Sequence, residues 1–174
     1  QLPYGDQITL RQLANHTAGT WDYENSLLGA AVENQDWTTL AQGFTPVHVM
    51  SQLAANDPDH DYRQIAIMDR DGNGVGHTGS GTRPWSGHKV GPGYVAFGNV
   101  LAGPQVVEAI VAGFLADPDL PLEFRLLGAL EGGRKAGGQV GAQGHLTERS
   151  AAIRVVADPD YPDIDVRVDL HDDA

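Results

Sequence analysis

Hydrophobic residues recur at helical spacing in several segments of the chain. Val49 and Met50 follow Thr45 and Pro46, a pair typical of a helix start, and predict a helix that ends near Asn56. A stronger helix is predicted to begin at Pro104, because apolar residues recur on one face that we expect to be buried. The residues of that face are Val106, Val107, Ile110, Phe114 and Leu115.

A further helix is predicted to begin at Pro121 and to end at Gly132 and Gly133. Its apolar residues are core candidates: Leu122, Phe124, Leu126, Leu127 and Leu130. The glycine-rich, polar stretch 132–147 is predicted to be a loop.

Alternating residues and turn signals predict strands elsewhere. Residues 62–68 and 75–78 flank a turn at 69–74 and predict a hairpin, whereas 84–92 is interpreted as a loop before a strand at 94–99. Residues 151–156 and 164–170 predict a closing antiparallel pair. The second strand of that pair places four apolar residues on one core-facing side: Ile164, Val166, Val168 and Leu170. The fold class expected is α+β, an antiparallel sheet with packed helices, preceded by a helical amino-terminal segment.

The charge and composition of the chain argue against some classes of binding partner. The chain has 23 acidic and 11 basic side chains and a net charge of −12, so we expect no nucleic-acid partner. It lacks an apolar run of roughly 20 residues, and we expect no membrane partner. A soluble protein is predicted, with a cytoplasmic location favoured. The absence of cysteine excludes disulfides.

The amino-terminal segment carries a recognisable block. Residues 7–19 read QITLRQLANHTAG, with Thr9 and Gln12 placed as in a capping box. This block resembles a helix of serine β-lactamases and D-alanyl-D-alanine carboxypeptidases. That family's S-x-x-K and K-T-G motifs are missing, so no β-lactamase activity is expected. We assign residues 1–46 to this helical, β-lactamase-like fragment.

The rest of the chain, about 47–171, carries a different set of blocks. They read DYRQ at 61–64, HTGS at 77–80, PWSGH at 84–88, GPGY at 91–94, GNVLAG at 98–103 and DVRVD at 165–169. These blocks resemble a bacterial family known as domain of unknown function 1028, which implies layers like those of N-terminal-nucleophile hydrolases. We assign residues 47–174 to this α+β domain.

Two departures from that family have consequences. Its own amino-terminal strands are replaced by the β-lactamase-like piece, which makes the chain a chimera, and Thr82 stands where many members have cysteine. A sheet without its opening strands exposes an edge and an apolar face. A homodimer or higher homo-oligomer, including one that exchanges elements between copies, is therefore expected to cover them.

The best candidate chemistry lies around two histidines. His77 and His88 flank a glycine-rich stretch, with Ser80, Thr82 and Asn99 nearby in sequence. A histidine there is a candidate general base for a hydroxyl or for water, and Asn99 is a candidate oxyanion donor. The alternative is that both imidazoles only hydrogen-bond loop backbone.

The same histidines are also candidate zinc ligands. His77, His88, His171 and Asp169, with His145 as a substitute, offer the imidazole and carboxylate groups that zinc accepts. A zinc-bound hydroxide would provide hydrolysis near neutral pH. No short metal-binding spacing supports this set.

An apparent calcium motif has a simpler explanation. Residues 69–74 read DRDGNG, as at the start of an EF-hand loop, but the twelfth position is Ser80 rather than glutamate. Asp-Gly and Asn-Gly favour tight turns, so a hairpin turn is predicted.

Two functions remain open from the sequence. The first is a hydrolase of small ester or phosphoester substrates, metal-assisted or not, centred on His77 and His88. The alternative is a non-catalytic oligomeric scaffold or binding module of chimeric origin.

Overall fold

The protein is a mixed α+β molecule of helices and small antiparallel ladders. A computed structural model describes residues 43–157 and 161–169. The predicted helices of the amino-terminal segment lie outside these described residues, as do residues 158–160. The α+β class expected from the sequence is confirmed.

The first described helix, α1, spans Pro46–Asn56 as predicted. The side chain of Thr45 caps it by accepting a hydrogen bond from the backbone N–H of His48 at 3.3 Å. Pro46, Val49 and Met50 are its buried residues. A short 3₁₀ turn, His60–Tyr62, then leads into the strands.

Within the described residues, the strands pair as four antiparallel ladders of two strands each rather than as one continuous sheet. In chain order they are β1 Gln64–Met68 with β2 Gly74–Thr78, β3 Gly87–Gly91 with β4 Tyr94–Gly98, β5 Gln139–Gly141 with β6 Gly144–Leu146, and β7 Ala151–Val155 with β8 Ile164–Val168. The predicted hairpin across 69–74 and the closing pair are both confirmed. The interpretation of 84–92 as a loop was wrong, because 87–91 pairs with the following strand.

The turn at 69–74 is stabilised by the carboxylate of Asp69, one of its own residues. One oxygen of Asp69 accepts hydrogen bonds from the backbone N–H groups of Asn73 at 2.8 Å and Asp71 at 3.0 Å, and the other accepts from the Asn73 amide at 2.9 Å. These hydrogen bonds, led by that of the Asn73 side chain, lower the pKa of Asp69. Gly72 adopts φ of 81°, as tight turns require. The turn prediction is confirmed.

Two helices, α2 (Pro104–Leu115) and α3 (Leu122–Lys135), pack against each other. The end predicted for α3 at Gly132 and Gly133 was wrong, and part of the supposed loop 132–147 is the β5–β6 hairpin. The reason is tertiary, since a Cβ at Gly132 would strike the Ala109 carbonyl of α2. These glycines therefore serve close helix packing rather than a helix stop.

The elements stack through the molecule in a definite order. Helix α1 packs on the β1–β2 hairpin, which packs on the β3–β4 hairpin. Helix α2 packs on the β3–β4 hairpin, α3 packs on α2, and β7 packs on α3. The main buried cluster consists of Leu101, Val106 and Val107, with Trp85 packed against it. No helix among the described residues is long and apolar enough to cross a bilayer.

The outer side of α3 differs from the expectation. Four of the five core candidates of α3 are largely exposed: Leu122, Phe124, Leu127 and Leu130. The buried positions of α3 are instead the small residues Ala129 and Gly133. Val166 and Val168, predicted to face a core, are also exposed. Bulky apolar side chains thus line the outer surface on the α3 and β8 side of the molecule.

Candidate functional site

The site lies where the first two hairpins meet, and two glycines permit the contact. A Cβ at Gly74 would come within 2.7 Å of a Val95 methyl carbon, and one at Gly76 would come within 2.5 Å of the His88 ring. Residues 74, 76 and 78 share one face of β2 because side chains alternate along a strand. Thr78 therefore also faces the β3–β4 hairpin.

The central contact joins a hydroxyl to an imidazole. Thr78 Oγ1 lies 2.9 Å from His88 Nδ1, within hydrogen-bonding distance. The imidazole ring of His88 lies against Gly76, which has no side chain to displace it. Thr78 is half-buried and His88 is exposed, so the pair is open to small molecules on the imidazole side.

Gln64 connects this pair to both hairpins. It is the register partner of Thr78 across the β1–β2 ladder. Its Nε2 lies 2.8 Å from the Gly98 carbonyl oxygen, 3.2 Å from that of Gly87 and 3.1 Å from Thr78 Oγ1. The amide of Asn99 donates in turn to Gln64 Oε1 at 3.2 Å. We call Gln64, Thr78, His88 and Asn99 the junction site.

The backbone beside Asn99 is strained. Val100 has φ of 57°, which is unusual for a β-branched residue and costs on the order of 1–3 kcal/mol. Its N–H and carbonyl are both used, bonding the Arg83 carbonyl at 3.3 Å and the Val140 N–H at 2.8 Å. These bonds hold the backbone conformation that places Asn99 at the junction site.

His77 lies on the other face of β2. Its Nε2 is 3.0 Å from the carbonyl oxygen of His60, and the two imidazole rings stack with centroids 3.8 Å apart. Burial and the neighbouring His77 lower the pKa of His60, against the opposing influence of Asp57 and Asp61. The structure thus separates His77 from His88 by the thickness of a strand.

Asp57 also lies near the stacked rings of His60 and His77. Its carboxylate accepts a hydrogen bond from Arg63 Nε at 3.0 Å and one from the Asp59 N–H at 2.9 Å. Burial alone would raise the pKa of Asp57, but these bonds and the charge of Arg63 outweigh it, and the pKa is lowered. Arg63 therefore offsets part of the negative charge beside the two rings.

The predicted hydroxyls take different positions. Ser80 is exposed in the turn that follows β2. Thr82 donates to the Gly79 carbonyl at 2.7 Å and accepts from Ser86 at 2.7 Å, so its hydroxyl is committed to the turn. Among the hydroxyls that the sequence highlighted, none contacts a histidine in the described part of the chain.

The predicted zinc ligands are dispersed. Asp169 pairs with Arg167 at 2.6 Å, and His145 lies 3.5 Å from Glu148. His171 lies outside the described residues. Within 43–157 and 161–169 no group of three or more suitable ligands converges. Zinc binding remains a prediction, which metal analysis of the purified protein tests.

Sequence reasoning highlighted His88 and Asn99 but missed Thr78, Gln64 and Gly76. A signal was present, because residues 74–78 read GVGHT and alternate small with larger side chains. Small residues at 74 and 76 indicate that another element approaches the face shared with Thr78. The identity of that element was not visible in the chain order.

The fold and site define a small α+β protein with a hydroxyl–imidazole pair at the junction of two hairpins. The chain belongs to the family of unknown function DUF1028, whose profile matches residues 22–174. The resemblance to that family is confirmed. The match begins inside the segment 1–46 that we assigned to a β-lactamase-like fragment.

A solved relative supports this membership. The crystal structure of protein SPO2555 from Silicibacter pomeroyi, also DUF1028, is similar with a TM-score of 0.67 and 31% identity. The similarity covers 80% of this chain and 59% of that one, so the chain spans less than two thirds of the relative's length. No curated protein matches the chain.

Proposed function

We propose that this protein hydrolyses ester or phosphoester bonds of a small molecule at the junction site. The observation that supports the proposal is the 2.9 Å contact between Thr78 Oγ1 and His88 Nδ1. A hydroxyl within hydrogen-bonding distance of an imidazole is the arrangement that activates a nucleophile in many hydrolases. His88 replaces the His77–His88 pair of the sequence-based hypothesis.

The chemistry proceeds in two displacements. Thr78 Oγ1 attacks the carbonyl carbon of an ester while its proton passes to His88 Nδ1. The tetrahedral intermediate then collapses, and the departing alkoxide takes that proton and leaves as the alcohol. Water next attacks the acyl-threonine ester, again losing a proton to His88, and releases the acid and the free Thr78 hydroxyl.

Asn99 is the candidate donor to the developing oxyanion. One amide hydrogen of Asn99 is used on Gln64 Oε1, and an amide NH₂ group carries a second. Asn99 is exposed beside the Thr78–His88 pair, and the strained Val100 supports its placement. A single such donor contributes on the order of 100-fold to a rate.

Two finer interpretations belong to the same proposal. Layers like those of N-terminal-nucleophile hydrolases are implied by the family resemblance, although the reaction proposed here uses an internal threonine. A chimeric origin is supported by the QITLRQLANHTAG block, and the family match leaves residues 1–21 for the foreign piece.

The test is hydrolysis of p-nitrophenyl acetate, p-nitrophenyl butyrate and bis-p-nitrophenyl phosphate by the full chain. We expect Thr78→Val and His88→Ala each to lower kcat/KM by roughly 100-fold or more. His48→Ala is the matched control, because His48 lies on α1 and its ring stacks on Phe44, which precedes that helix. Equal rates in all four proteins would exclude this site.

A second candidate function is a non-catalytic assembly module. It is favoured by the outer face of α3, where Phe124, Leu127 and Leu130 are 55%, 45% and 45% exposed. A protein surface with clustered bulky apolar side chains often binds another protein surface. The sequence also led us to expect a homo-oligomer, although there the surface to be covered was the exposed edge and apolar face of the sheet. Here the association runs through the α3 face, and particle mass in solution tests it.

A further inference from the structure

The amide of Gln64 has only one orientation compatible with its surroundings. Its Nε2 lies within 3.2 Å of two backbone carbonyl oxygens, those of Gly87 and Gly98. Carbonyl oxygens accept hydrogen bonds and cannot donate them, so the nitrogen must occupy this position. The opposite atom, Oε1, faces the NH₂ group of Asn99, as the same orientation requires.

This orientation limits what Thr78 can do. The NH₂ group of Gln64 has two hydrogens for three nearby acceptors, so Thr78 Oγ1, at 3.1 Å, shares a hydrogen with the carbonyl oxygens of Gly87 and Gly98. The amide nitrogen has no accepting lone pair and cannot receive the Thr78 hydroxyl proton. In the described part of the chain, the remaining hydrogen-bond partner of Thr78 Oγ1 is His88 Nδ1. Donation by Thr78 to Nδ1 gives the hydroxyl proton a protein acceptor, whereas the reverse direction leaves it without one among the described residues.

We propose that Gln64 is a positioning residue that directs the Thr78 hydroxyl proton onto His88 Nδ1. The neutral imidazole of His88 is then the tautomer that carries its hydrogen on Nε2. Because β1 contributes Gln64 and the β3–β4 hairpin contributes both carbonyls, the same amide fixes the two hairpins relative to each other. The catalytic consequence rests on the proposed function, but the direction of the hydrogen bond does not.

The first measurement is made on the unaltered protein. Nitrogen-15 NMR of the imidazole rings in mildly alkaline buffer distinguishes a protonated from an unprotonated ring nitrogen. His88→Ala assigns the signal. We expect His88 Nδ1 to be unprotonated and Nε2 to carry the hydrogen. A hydrogen on Nδ1 would overturn the inference.

Gln64→Glu reverses the donor at one position. The carboxylate loses the two hydrogen bonds to the Gly87 and Gly98 carbonyl oxygens, which cannot donate to it, and Thr78 is the donor that remains within reach. Thr78 then donates to the carboxylate, and Thr78 Oγ1 accepts a hydrogen bond from His88 Nδ1–H. We expect the tautomer to change to the Nδ1–H form. Gln105→Glu is the matched control, because Gln105 is an exposed residue of α2 whose amide donates to the Ala136 carbonyl at 3.5 Å. An unchanged His88 tautomer in a folded Gln64→Glu protein contradicts the inference.

The activity measurement separates this inference from the proposed function. If the junction site hydrolyses p-nitrophenyl esters, we expect Gln64→Glu to lower kcat by roughly 10-fold or more with little change in KM, since the proton path rather than binding is altered. An Nε2–H tautomer in a protein without esterase activity supports the positioning role and refutes the proposed function. A Thr78-dependent esterase with the Nδ1–H tautomer supports the function and refutes the positioning role. If Gln64→Glu does not fold, the wild-type tautomer alone decides.

Discussion

At the scale of single residues, the junction site depends on Gly76, because a glycine has no side chain. Gly76 lets the His88 ring lie against β2, and any Cβ there would come within 2.5 Å of the ring. Only this approach brings Nδ1 to Thr78. The sequence indicated His88 as a candidate base but did not indicate Thr78 as the hydroxyl that it contacts. That contact is determined by the packing of one hairpin on the other.

The stacked imidazoles of His60 and His77 give a residue-scale prediction about pH. His60 has its pKa lowered from 6.5 by burial and by His77, with Arg63 adding to the effect and Asp57 and Asp61 opposing it. Below pH 6.5 the unfolded chain therefore binds more protons at this residue than the folded chain. We expect the free energy of unfolding to decrease as the pH falls from 6.5 towards the lowered pKa, and then to level off for this group.

Urea denaturation at a series of pH values measures that effect. His60→Gln should weaken the pH dependence in this window, because the substituted side chain does not titrate. His48→Gln is the control and should retain the wild-type slope. An identical slope in wild type and His60→Gln would show that the stack does not contribute to acid sensitivity.

At the scale of elements, glycines set how closely α2 and α3 approach. A Cβ on Gly113 would overlap the Gly128 carbonyl, and one on Gly128 would lie 2.9 Å from the Gly113 carbonyl oxygen. The helices therefore touch through their backbones. Periodicity predicted both helices from their apolar residues, but it also made Gly132 and Gly133 resemble a helix end, because one chain cannot show which glycines face a neighbour.

Gly113→Ala tests the backbone contact. Alanine favours an isolated helix over glycine by about 1 kcal/mol. Overpacking against a backbone carbonyl costs typically 1–3 kcal/mol, so we expect net destabilisation of up to about 2 kcal/mol. Urea denaturation at neutral pH is the measurement. Ala112→Ser, at the exposed neighbouring position, should change the stability by no more than about 0.5 kcal/mol. A stabilised Gly113→Ala protein would refute the close contact.

At the scale of the whole molecule, charge and exposed apolar surface oppose each other. The net charge of −12 repels a second copy, whereas the outer face of α3 gains from being covered. Salt screens the repulsion and leaves apolar burial in place. We therefore expect self-association to strengthen as the salt concentration rises.

Light scattering of the full chain at micromolar concentration measures this. We expect a particle larger than the 18.5 kDa single chain, with a mass that increases or holds as salt is added. Leu127→Glu should shift the particle towards the single-chain mass, and Val47→Glu, at an exposed aliphatic residue of α1, should not. A mass of 18.5 kDa at every salt and protein concentration would exclude the assembly proposal.

The sequence by itself determined the local elements and the family. Apolar spacing and cap residues predicted α1, α2 and the start of α3, because these signals act within a few residues of chain. Turn chemistry predicted the β1–β2 hairpin for the same reason. The net charge followed from composition alone, and the ordered blocks identified the family.

Only the tertiary structure decided which groups meet. His77 and His88 are close in sequence, yet they lie on opposite faces of β2, whereas Gln64 and Asn99 meet across 35 positions. Strand alternation turns a shift of one residue into a change of face, and the contact between two separate hairpins sets the remaining distances. Those are interactions between distant parts of the chain, which the order of residues does not reveal.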